Sequence, residues 1–338
     1  MGIRVLKAGM LTTVQDLGRY GYQSQGFSVA GVMDIRSFKI ANMLLDNPEN
    51  EAVLEFTLIG PTLEFTSDTI IAITGGDFSP TINGEAAPMY TAIYVNKGDV
   101  LKFASARTGT RGYLAFSSYL DIPVVMGSRC TNLKSRIGGF KGRKLQNEDY
   151  IGFRIKRRYL PYFLSRTLPP DHFEDTSATL RVVMGPQDAL FTKAGIRTFL
   201  ENEYTVTSDF DRMGCRLDGP FIAPTGTSDI ISDGIAFGAI QVPSHGKPII
   251  LLSDRQTTGG YAKIAAVISA DIPKLVQRKT DHRIRFKAVT VEEAQAIYRK
   301  EISELEHMRR AIHVPCREVL DVRLVAKRLR KLYEDMEV

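Results

Sequence analysis

The stretches GDVLKFASARTGTRGY (residues 98–113) and GKPIILLSDRQTTGGY (residues 246–261) share one pattern: a glycine, eight residues, then R-x-x-T-x-G-Y. Each is soon followed by Asp-Ile-Pro, and the segments RVLKAG and RVVMGP further upstream also correspond. Because these matches keep the same order in both halves, the sequence predicts two divergent copies of one module.

Short apolar and β-branched segments, separated by Gly, Pro, Asn or Asp, fill both copies, as is typical of strands joined by tight turns. They include TIIAIT, AIYV, VLKF and YLAF in the first copy and LRVVM, EYTVT, GAIQV and PIILL in the second. Many short strands at close spacing favour a closed sheet or barrel. One early helix is predicted in each copy, capped by Asp34 and by Asp188.

The join between the copies falls in RTLPPDHFEDTSATL, which is polar and contains two adjacent prolines. We therefore predict a first domain over residues 1–165, a linker over 166–180 and a second domain over 181–290. The pattern over 291–338 is helical and predicts a helical tail.

That tail begins with a capping box formed by Thr290 and Glu293. Pro315 ends the first helix, and a second amphipathic helix is predicted over residues 317–336. We expect this helical hairpin to pack against the core or against a partner.

The 338-residue chain has a net charge of +6, and between residues 129 and 166 eleven Lys or Arg residues face two acids, Glu148 and Asp149. This segment is either a solvated surface or an anion site. Motifs of nucleic-acid-binding proteins are absent, so we expect no nucleic-acid partner. Widely spaced cysteines, and the lack of a long apolar stretch or a signal peptide, lead us to expect a cytoplasmic protein with no membrane attachment.

Common catalytic motifs are also missing from the sequence, among them the phosphate loop of P-loop enzymes, the dinucleotide-binding glycine pattern, H-E-x-x-H and G-x-S-x-G. The five histidines are scattered, so we predict no metal cluster. The sequence contains no Met-Lys-Met tract that would offer a lysine for biotin.

The main candidate site consists of Gln241, Asp254, Gln256, Thr257 and Thr258, at the edges of two apolar strands. Amides and hydroxyls can donate and accept hydrogen bonds, so such a cluster suits recognition of an amide or a carboxylate. The alternative is that these groups only solvate a turn.

Other candidates lie in three further segments. LTTVQDLGRYG, with Gln15, Asp16 and Arg19, either lines a site or serves turns. GGFKGR, with Gly138, Gly139 and Arg143, offers backbone N–H groups and a guanidinium for an anion, or is a loop with incidental charge. In SDFDRMGCRLDGP, Arg212 and Arg216 are either anion ligands or members of a self-paired surface strand.

In order, TTVQDLGRYGYQ, LEFTLIGPTLEF, ITGGD, GGFKGR, RMGCRLDGP and GAIQVPSHGKPIILLSDRQTTGGY resemble segments of the allophanate-hydrolase-subunit-2 family, also described as biotin-dependent carboxyltransferase-like. The resemblance extends over about residues 3–290. It implies a mainly β fold with two tandem cyclophilin-like β-barrel domains, a few helices and a C-terminal helical tail.

The resemblance also implies a function. Free-standing bacterial members look like the C subunit of an ATP-dependent 5-oxoprolinase, which opens 5-oxoproline to glutamate. That implies a hetero-oligomer with the B and A subunits, lactam activation together with the kinase-inhibitor-like B subunit, ATP with Mg²⁺ in the assembled complex, no covalently bound biotin, and no activity of the chain alone. The alternatives are a regulatory protein that antagonises a histidine-kinase inhibitor, and the carboxyltransferase component of a biotin-dependent urea carboxylase-like system.

Under that resemblance the candidate residues divide by charge. The neutral polar groups suit the lactam amide and ring carboxylate: Gln15, Gln241, Gln256, Thr257 and Thr258. The cations suit a transferred phosphoryl group: Arg19, Arg143, Arg212 or Arg216. The acids suit Mg²⁺ or substrate orientation: Asp16, Asp77 or Asp254.

Overall fold

The computed structural model describes residues 1–156 and 159–315. The predicted second tail helix, over residues 317–336, lies outside the described residues. Within them the chain is mainly β, as predicted, with four α-helices.

Two antiparallel sheets make up the first half. Their strands are β1 (Gly2–Lys7), β2 (Leu11–Gln15), β3 (Val53–Thr57), β4 (Thr62–Phe65), β5 (Thr69–Asp77), β6 (Thr81–Ile82), β7 (Glu85–Ala86), β8 (Ala92–Val95), β9 (Val100–Lys102), β10 (Thr108–Phe116) and β11 (Tyr150–Gly152). One sheet has the order β11-β1-β4-β9-β6-β7 and the other β2-β3-β10-β5-β8. Alternate residues of both sheets, such as Val5, Phe56 and Ile73, form the buried core between them.

The other face of the five-stranded sheet is covered by helix α1 (Ile35–Leu44). As predicted, Asp34 caps it, and its carboxylate accepts a hydrogen bond of 2.9 Å from the backbone N–H of Ser37. Phe38 and Leu44 of this helix are fully buried against that face of the sheet.

The second half contains a closed barrel of seven strands. Its strands and those of a neighbouring ribbon are β12 (Ser177–Met184), β13 (Glu203–Phe210), β14 (Gly214–Asp218), β15 (Asp229–Gly234), β16 (Ala239–Gln241), β17 (Ile249–Leu251), β18 (Thr258–Tyr261), β19 (Lys263–Val267) and β20 (Arg283–Ala288). The barrel has the order β12-β19-β16-β17-β14-β13-β20, while β15 and β18 pair as a separate ribbon. Met33 of the first half is fully buried in the barrel's core cluster.

Three helices accompany the second half: α2 (Lys193–Glu201), α3 (Ile272–Val276) and α4 (Val291–Ala311). The predicted capping box of Thr290 and Glu293 is present at the start of α4. The prediction that Asp188 caps α2 was wrong, because Thr192 caps it instead. Phe191, just before that cap, is extended and buried in the barrel core, so a helix cannot run through it from Asp188.

The repeated R-x-x-T-x-G-Y segments occupy comparable local positions. Arg107 comes just before β10 and forms a 3.6 Å ion pair with Asp77 at the end of β5. Arg255 precedes β18, and its Nε donates a 3.0 Å hydrogen bond to the carbonyl of Ile235, directly after β15. Elsewhere the pairing differs, since β1 pairs with β4 and β11 whereas β12 pairs with β19 and β20. The two-copy description and the domain boundaries stay predictions.

Buried charges join the two halves. Arg212, of the second half, is 5% exposed and contacts Glu55 (2%) and Asp254 (7%). Its Nη1 donates to Glu55, its Nε and Nη2 donate to Asp254 at 3.2 and 3.1 Å, and Nη2 also donates to the carbonyl of Gly31. Burial alone would lower the pKa of Arg212, but Asp254 and Glu55 raise it above its ordinary value. The guanidinium is therefore charged wherever the protein is folded.

Replacing Arg212 should destabilise the fold strongly. In Arg212→Met, Glu55 and Asp254 lose their shared cation, and removing one member of a buried ion pair costs roughly 3–5 kcal/mol. Arg216→Met is the matched control, because this neighbouring arginine is exposed and should change stability by no more than about 0.5 kcal/mol. Urea unfolding of both variants measures the difference, and equal losses would contradict the assignment.

Candidate functional site

A groove of about 530 Å³ opens at the side of the barrel, between the β13–β14 hairpin and the loop that leads into β18. Its apolar wall comprises Phe210, Met213, Ile249 and Leu251. Its polar wall comprises Asp209, Asp211, Arg216, Gln241, Gln256 and Tyr261. A concave surface of this size, with an apolar wall and converging polar groups, suits a small molecule.

The two glutamines of the candidate site meet in this groove. Gln241 ends β16, is 3% exposed, and its Nε2 donates a 3.3 Å hydrogen bond to the carbonyl of Tyr261. Gln256 is exposed in the loop between β17 and β18. A Cβ on Gly259 would lie 2.8 Å from Nε2 of Gln241, so glycine lets β18 pass close over that amide.

The first part of SDRQTTGGY anchors the loop rather than lining the groove. Asp254 is held by Arg212. Oγ of Ser253 donates 2.9 Å to the carbonyl of Val32, which belongs to the first half. These contacts fix the loop up to Arg255 and leave Gln256 free to face the groove.

Thr257 and Thr258 follow Gln256 but are not among the groove-lining residues. The carbonyl of Thr257 accepts a 3.0 Å hydrogen bond from the N–H of Ile235, and Thr258 begins β18 opposite Gly234. The structure therefore gives both threonines positions in the β15–β18 ribbon.

Phe210 connects the groove to the first half. The guanidinium of Arg111 lies 4.8 Å from the centre of the Phe210 ring. Arg111 is itself buried and donates to the carbonyl of Val276. Burial lowers the pKa of Arg111, while Glu55 opposes this shift. This wall of the groove is thus supported by a cation from the other half of the chain.

Gln15, Asp16 and Arg19 are all buried in the first half and do not line the groove. Each bonds to the segment 125–131: Gln15 Nε2 to the carbonyl of Thr131 at 3.2 Å, Asp16 to Oγ of Ser128 at 2.6 Å, and Arg19 Nη2 to the carbonyl of Cys130 at 3.1 Å. Their observed contacts hold this segment in place.

The glycines of GGFKGR adopt the left-handed conformation, with φ of 65° at Gly138 and 55° at Gly139. A Cβ on Gly139 would overlap Oγ1 of Thr131. Both Nη atoms of Arg143 donate 2.7 Å hydrogen bonds to Asp149. Burial opposes ionisation of Asp149, but Arg143 and a backbone N–H lower its pKa below the ordinary value. The guanidinium thus already has an anionic partner within the chain.

Arg216 is the one cation among the described residues that line the groove. It is more than half exposed, and its Nε lies 4.0 Å from Asp209. Asp77 is outside the groove, where it pairs with Arg107. In residues 1–156 and 159–315 no three His, Cys, Asp or Glu side chains are grouped so that they could hold a metal ion.

Sequence reasoning missed several residues of the site. Asp209 and Asp211 were not candidates from the sequence, yet they lie beside Phe210 in the groove. A register shift in the β13–β14 pairing between Val206 and Phe210 changes which side chains reach the groove, and the sequence carries no clear signal for such a bulge. Glu55 could have been noticed as the acid within the otherwise apolar strand β3.

No α-helix in the described ranges combines the length and the apolar character needed to cross a membrane.

Comparison with known proteins gives consistent matches. The family described as carboxyltransferase domain, subdomain A and B, matches residues 25–288. The C subunit of 5-oxoprolinase from Escherichia coli (strain K12) is 34% identical over 299 residues, covering 86% of this chain and 93% of that protein. The C subunit of 5-oxoprolinase from Haemophilus influenzae is 34% identical over 313 residues, covering 92% of this chain and 98% of that protein.

Among solved structures, the K. lactis urea amidolyase is similar with a TM-score of 0.84 and 27% sequence identity. The similarity covers 91% of this chain and 20% of the much longer urea amidolyase chain. The mainly β fold predicted from the sequence is thus shared with a solved protein.

The observed packing of GGFKGR generates a stability prediction. Gly139→Ala should destabilise the protein by about 1–3 kcal/mol, because the new Cβ overlaps Thr131 in a tightly packed region. Gly226→Ala is the control, since a Cβ there meets no atom within 4 Å and the backbone has no left-handed φ. Thermal unfolding compares the two. If Gly139→Ala melts like Gly226→Ala, the glycines are not required for packing.

Proposed function

The chain belongs to the family of carboxyltransferase domains, subdomain A and B, and from that membership we propose that it is the C subunit of a 5-oxoprolinase. The observation that carries the proposal is the similarity to two 5-oxoprolinase C subunits over nearly the full length of both chains. The finer proposal is that the chain acts with the B and A subunits in a cytoplasmic complex and has no activity alone.

The groove supports binding of a lactam. A lactam presents one N–H donor and one carbonyl acceptor, and a glutamine amide offers the complementary acceptor and donor. Gln241 and Gln256 line the same groove beside the apolar wall formed by Phe210 and Leu251. We assign the amide contacts to these two glutamines and the ring carboxylate to Arg216.

The proposed reaction activates the lactam carbonyl by phosphorylation. The carbonyl oxygen attacks the γ-phosphorus of ATP, the bond to ADP breaks, and a phosphorylated imidate forms. Water then adds to the ring carbon, and the C–N bond breaks, so that the ring opens with the nitrogen leaving as the amine and the carbonyl held as an acyl phosphate. A second water hydrolyses the acyl phosphate to give glutamate and phosphate. We assign activation to the B and C subunits together, and hydrolysis to the A subunit.

The charges of the groove favour the lactam over the nucleotide as its occupant. Of the four arginines predicted for phosphoryl transfer, Arg19 is buried against backbone carbonyls, while Arg143 and Arg212 are ion-paired within the chain. Arg216 faces the groove beside two carboxylates, Asp209 and Asp211. Such a surface would repel a triphosphate. We therefore propose that the cations that contact ATP and its Mg²⁺ come mainly from another polypeptide of the complex.

A second candidate function is supported by the similarity to the K. lactis urea amidolyase. Urea also presents amide groups, so the same glutamines would suit it. This candidate is a carboxyltransferase that uses biotin carried on another chain. The third candidate, a regulatory antagonist of a histidine-kinase inhibitor, requires no turnover.

Reconstitution tests the proposed function directly. The full chain mixed with the B and A subunits of its complex should release glutamate from 5-oxoproline only when ATP and Mg²⁺ are present, and the chain alone should release none. Glutamate is measured by enzyme-coupled assay. Carboxylation of urea by carboxybiotin, without glutamate release, would favour the second candidate. Binding to the B subunit without any turnover would favour the third.

The groove assignment makes a sharper prediction. Gln256→Ala should lower glutamate release by the assembled complex by about ten- to a hundredfold, because losing one hydrogen-bonding group from a polar site costs ~1–3 kcal/mol. The melting temperature should hardly change, since Gln256 is exposed. Gln295→Ala, an exposed glutamine on α4, is the matched control. Normal turnover in Gln256→Ala, with a normal melt, would mean that this loop only solvates a turn.

A further inference from the structure

A second cavity, of about 460 Å³, is lined by residues of both halves. It is lined by α3, by the middle of α4, by the segment around Asp171 and by Arg36 at the start of α1. Its volume is in the range of small-molecule sites. None of its lining residues belongs to the groove described above.

The cavity contains an arginine that is buried without an ionic partner. Arg278 is 4% exposed, and its Nε donates a 2.8 Å hydrogen bond to the carbonyl of Lys274 while Nη1 donates to the carbonyl of Asp175. Among the described residues no carboxylate lies within 4 Å of this guanidinium, and its Nη2 has no hydrogen-bond partner. Burial lowers the pKa of Arg278, and the more distant carboxylate of Asp175 opposes this shift. Burying an unpaired charge is costly, so an anion bound in the cavity would stabilise the charged guanidinium of Arg278.

The other charges around the cavity are mostly paired with each other. Nε of Arg36 lies 3.2 Å from both carboxylate oxygens of Asp171. Arg181 and Lys274 share Asp271, at 2.6 and 2.8 Å. These pairs leave little net charge for a ligand.

Two further groups line the same cavity without an ion pair in the described part of the chain: Lys300, which is exposed on α4, and its neighbour Glu301, which is half-buried. Burial raises the pKa of Glu301, and Arg36 opposes this shift. The unpaired groups of one cavity are thus two cations and one carboxylate.

From this arrangement we propose that the cavity binds an acidic α-amino acid. Its two carboxylates would contact Arg278 and Lys300, and its ammonium group would contact Glu301. Charge-assisted hydrogen bonds to a guanidinium are the strongest of these contacts and would set the orientation of the ligand. A phosphate-type anion fits less well, because Glu301, Glu304 and Asp171 line the same space. This inference goes beyond the proposed function and does not depend on it.

Calorimetric titration of the full chain tests the proposal, with L-glutamate as the probe. We expect saturable binding with a dissociation constant below about 1 mM. Glutarate lacks the ammonium group, L-glutamine lacks the second carboxylate, and inorganic phosphate lacks both features. Each of these three should bind at least about tenfold more weakly.

Variants locate the site. Arg278→Gln should weaken L-glutamate binding by about tenfold or more, since a charge-assisted contact is lost. Because Arg278 is buried and that variant could unfold, Lys300→Gln and Glu301→Gln on the surface of α4 provide independent tests and should each weaken binding several-fold. Arg299→Gln, an exposed charge change on the same helix outside the cavity lining, should leave binding unchanged.

The contrary outcomes are distinct. The absence of saturable L-glutamate binding overturns the proposal, as does equal binding of glutarate or of phosphate. Binding that is unaffected by Lys300→Gln and Glu301→Gln would place the ligand elsewhere and also overturns it. In Gln256→Ala the binding should persist; its loss there would assign the ligand to the groove instead.

Discussion

The ion triad of Arg212 with Glu55 and Asp254 is the interaction on which the arrangement of the two halves depends. One cation lies between two carboxylates, one from each half, and all three side chains are buried. Hydrogen bonds to Glu55 from Tyr113 and from the backbone of Met33 disperse the remaining negative charge. Buried ion pairs often add little net stability compared with apolar packing, whereas a broken one is costly. The triad constrains the arrangement of the halves, since a displacement that separated Arg212 from Glu55 would leave a buried charge unpaired.

The same triad determines what the loop after β17 can do. Ser253 is bonded to the first half and Asp254 to Arg212, so contacts outside the groove position the backbone that leads to Gln256. Gln241 is fixed from the opposite side by its bond to the carbonyl of Tyr261. A side chain that is already held in place, as that of Gln241 is, loses little conformational freedom when a ligand binds, and affinity benefits accordingly. Some residues of SDRQTTGGY thus hold the loop in place, and others face the groove where a ligand would bind. These two roles explain why a single loop contains so many polar groups.

The sequence predicted the strands, the helix caps at Asp34 and Thr290, and the meeting of Gln241 with Gln256, because each depends on local pattern or on neighbouring strands. The predictions failed where the structure depends on contacts between segments that are distant in the sequence. The helix predicted from Asp188 is interrupted at Phe191 because the ring of Phe191 packs in the barrel core. The periodicity of the residues around Asp188 does not indicate that packing. Gln15 and Arg19 are polar residues of the kind found in functional sites, yet they donate hydrogen bonds to a segment more than a hundred residues further along the chain. Polar residues that bond to distant backbone look identical in sequence to polar residues that bond to ligands.

Under the proposed function, the groove contributes recognition and little of the charge that phosphoryl transfer requires. Transfer of a phosphoryl group is catalysed chiefly by positioning and by cations around the transferred group. Within the described residues, the arginines closest to this role are already neutralised inside the fold, because Arg212 serves the triad and Arg143 serves Asp149. Releasing either one for a nucleotide would leave a buried carboxylate without its partner. The cations would therefore have to approach from outside, across the open side of the groove where Gln256 and Tyr261 are exposed. Under that proposal this chain supplies the groups that recognise the lactam, and a second polypeptide would supply the cations that activate it.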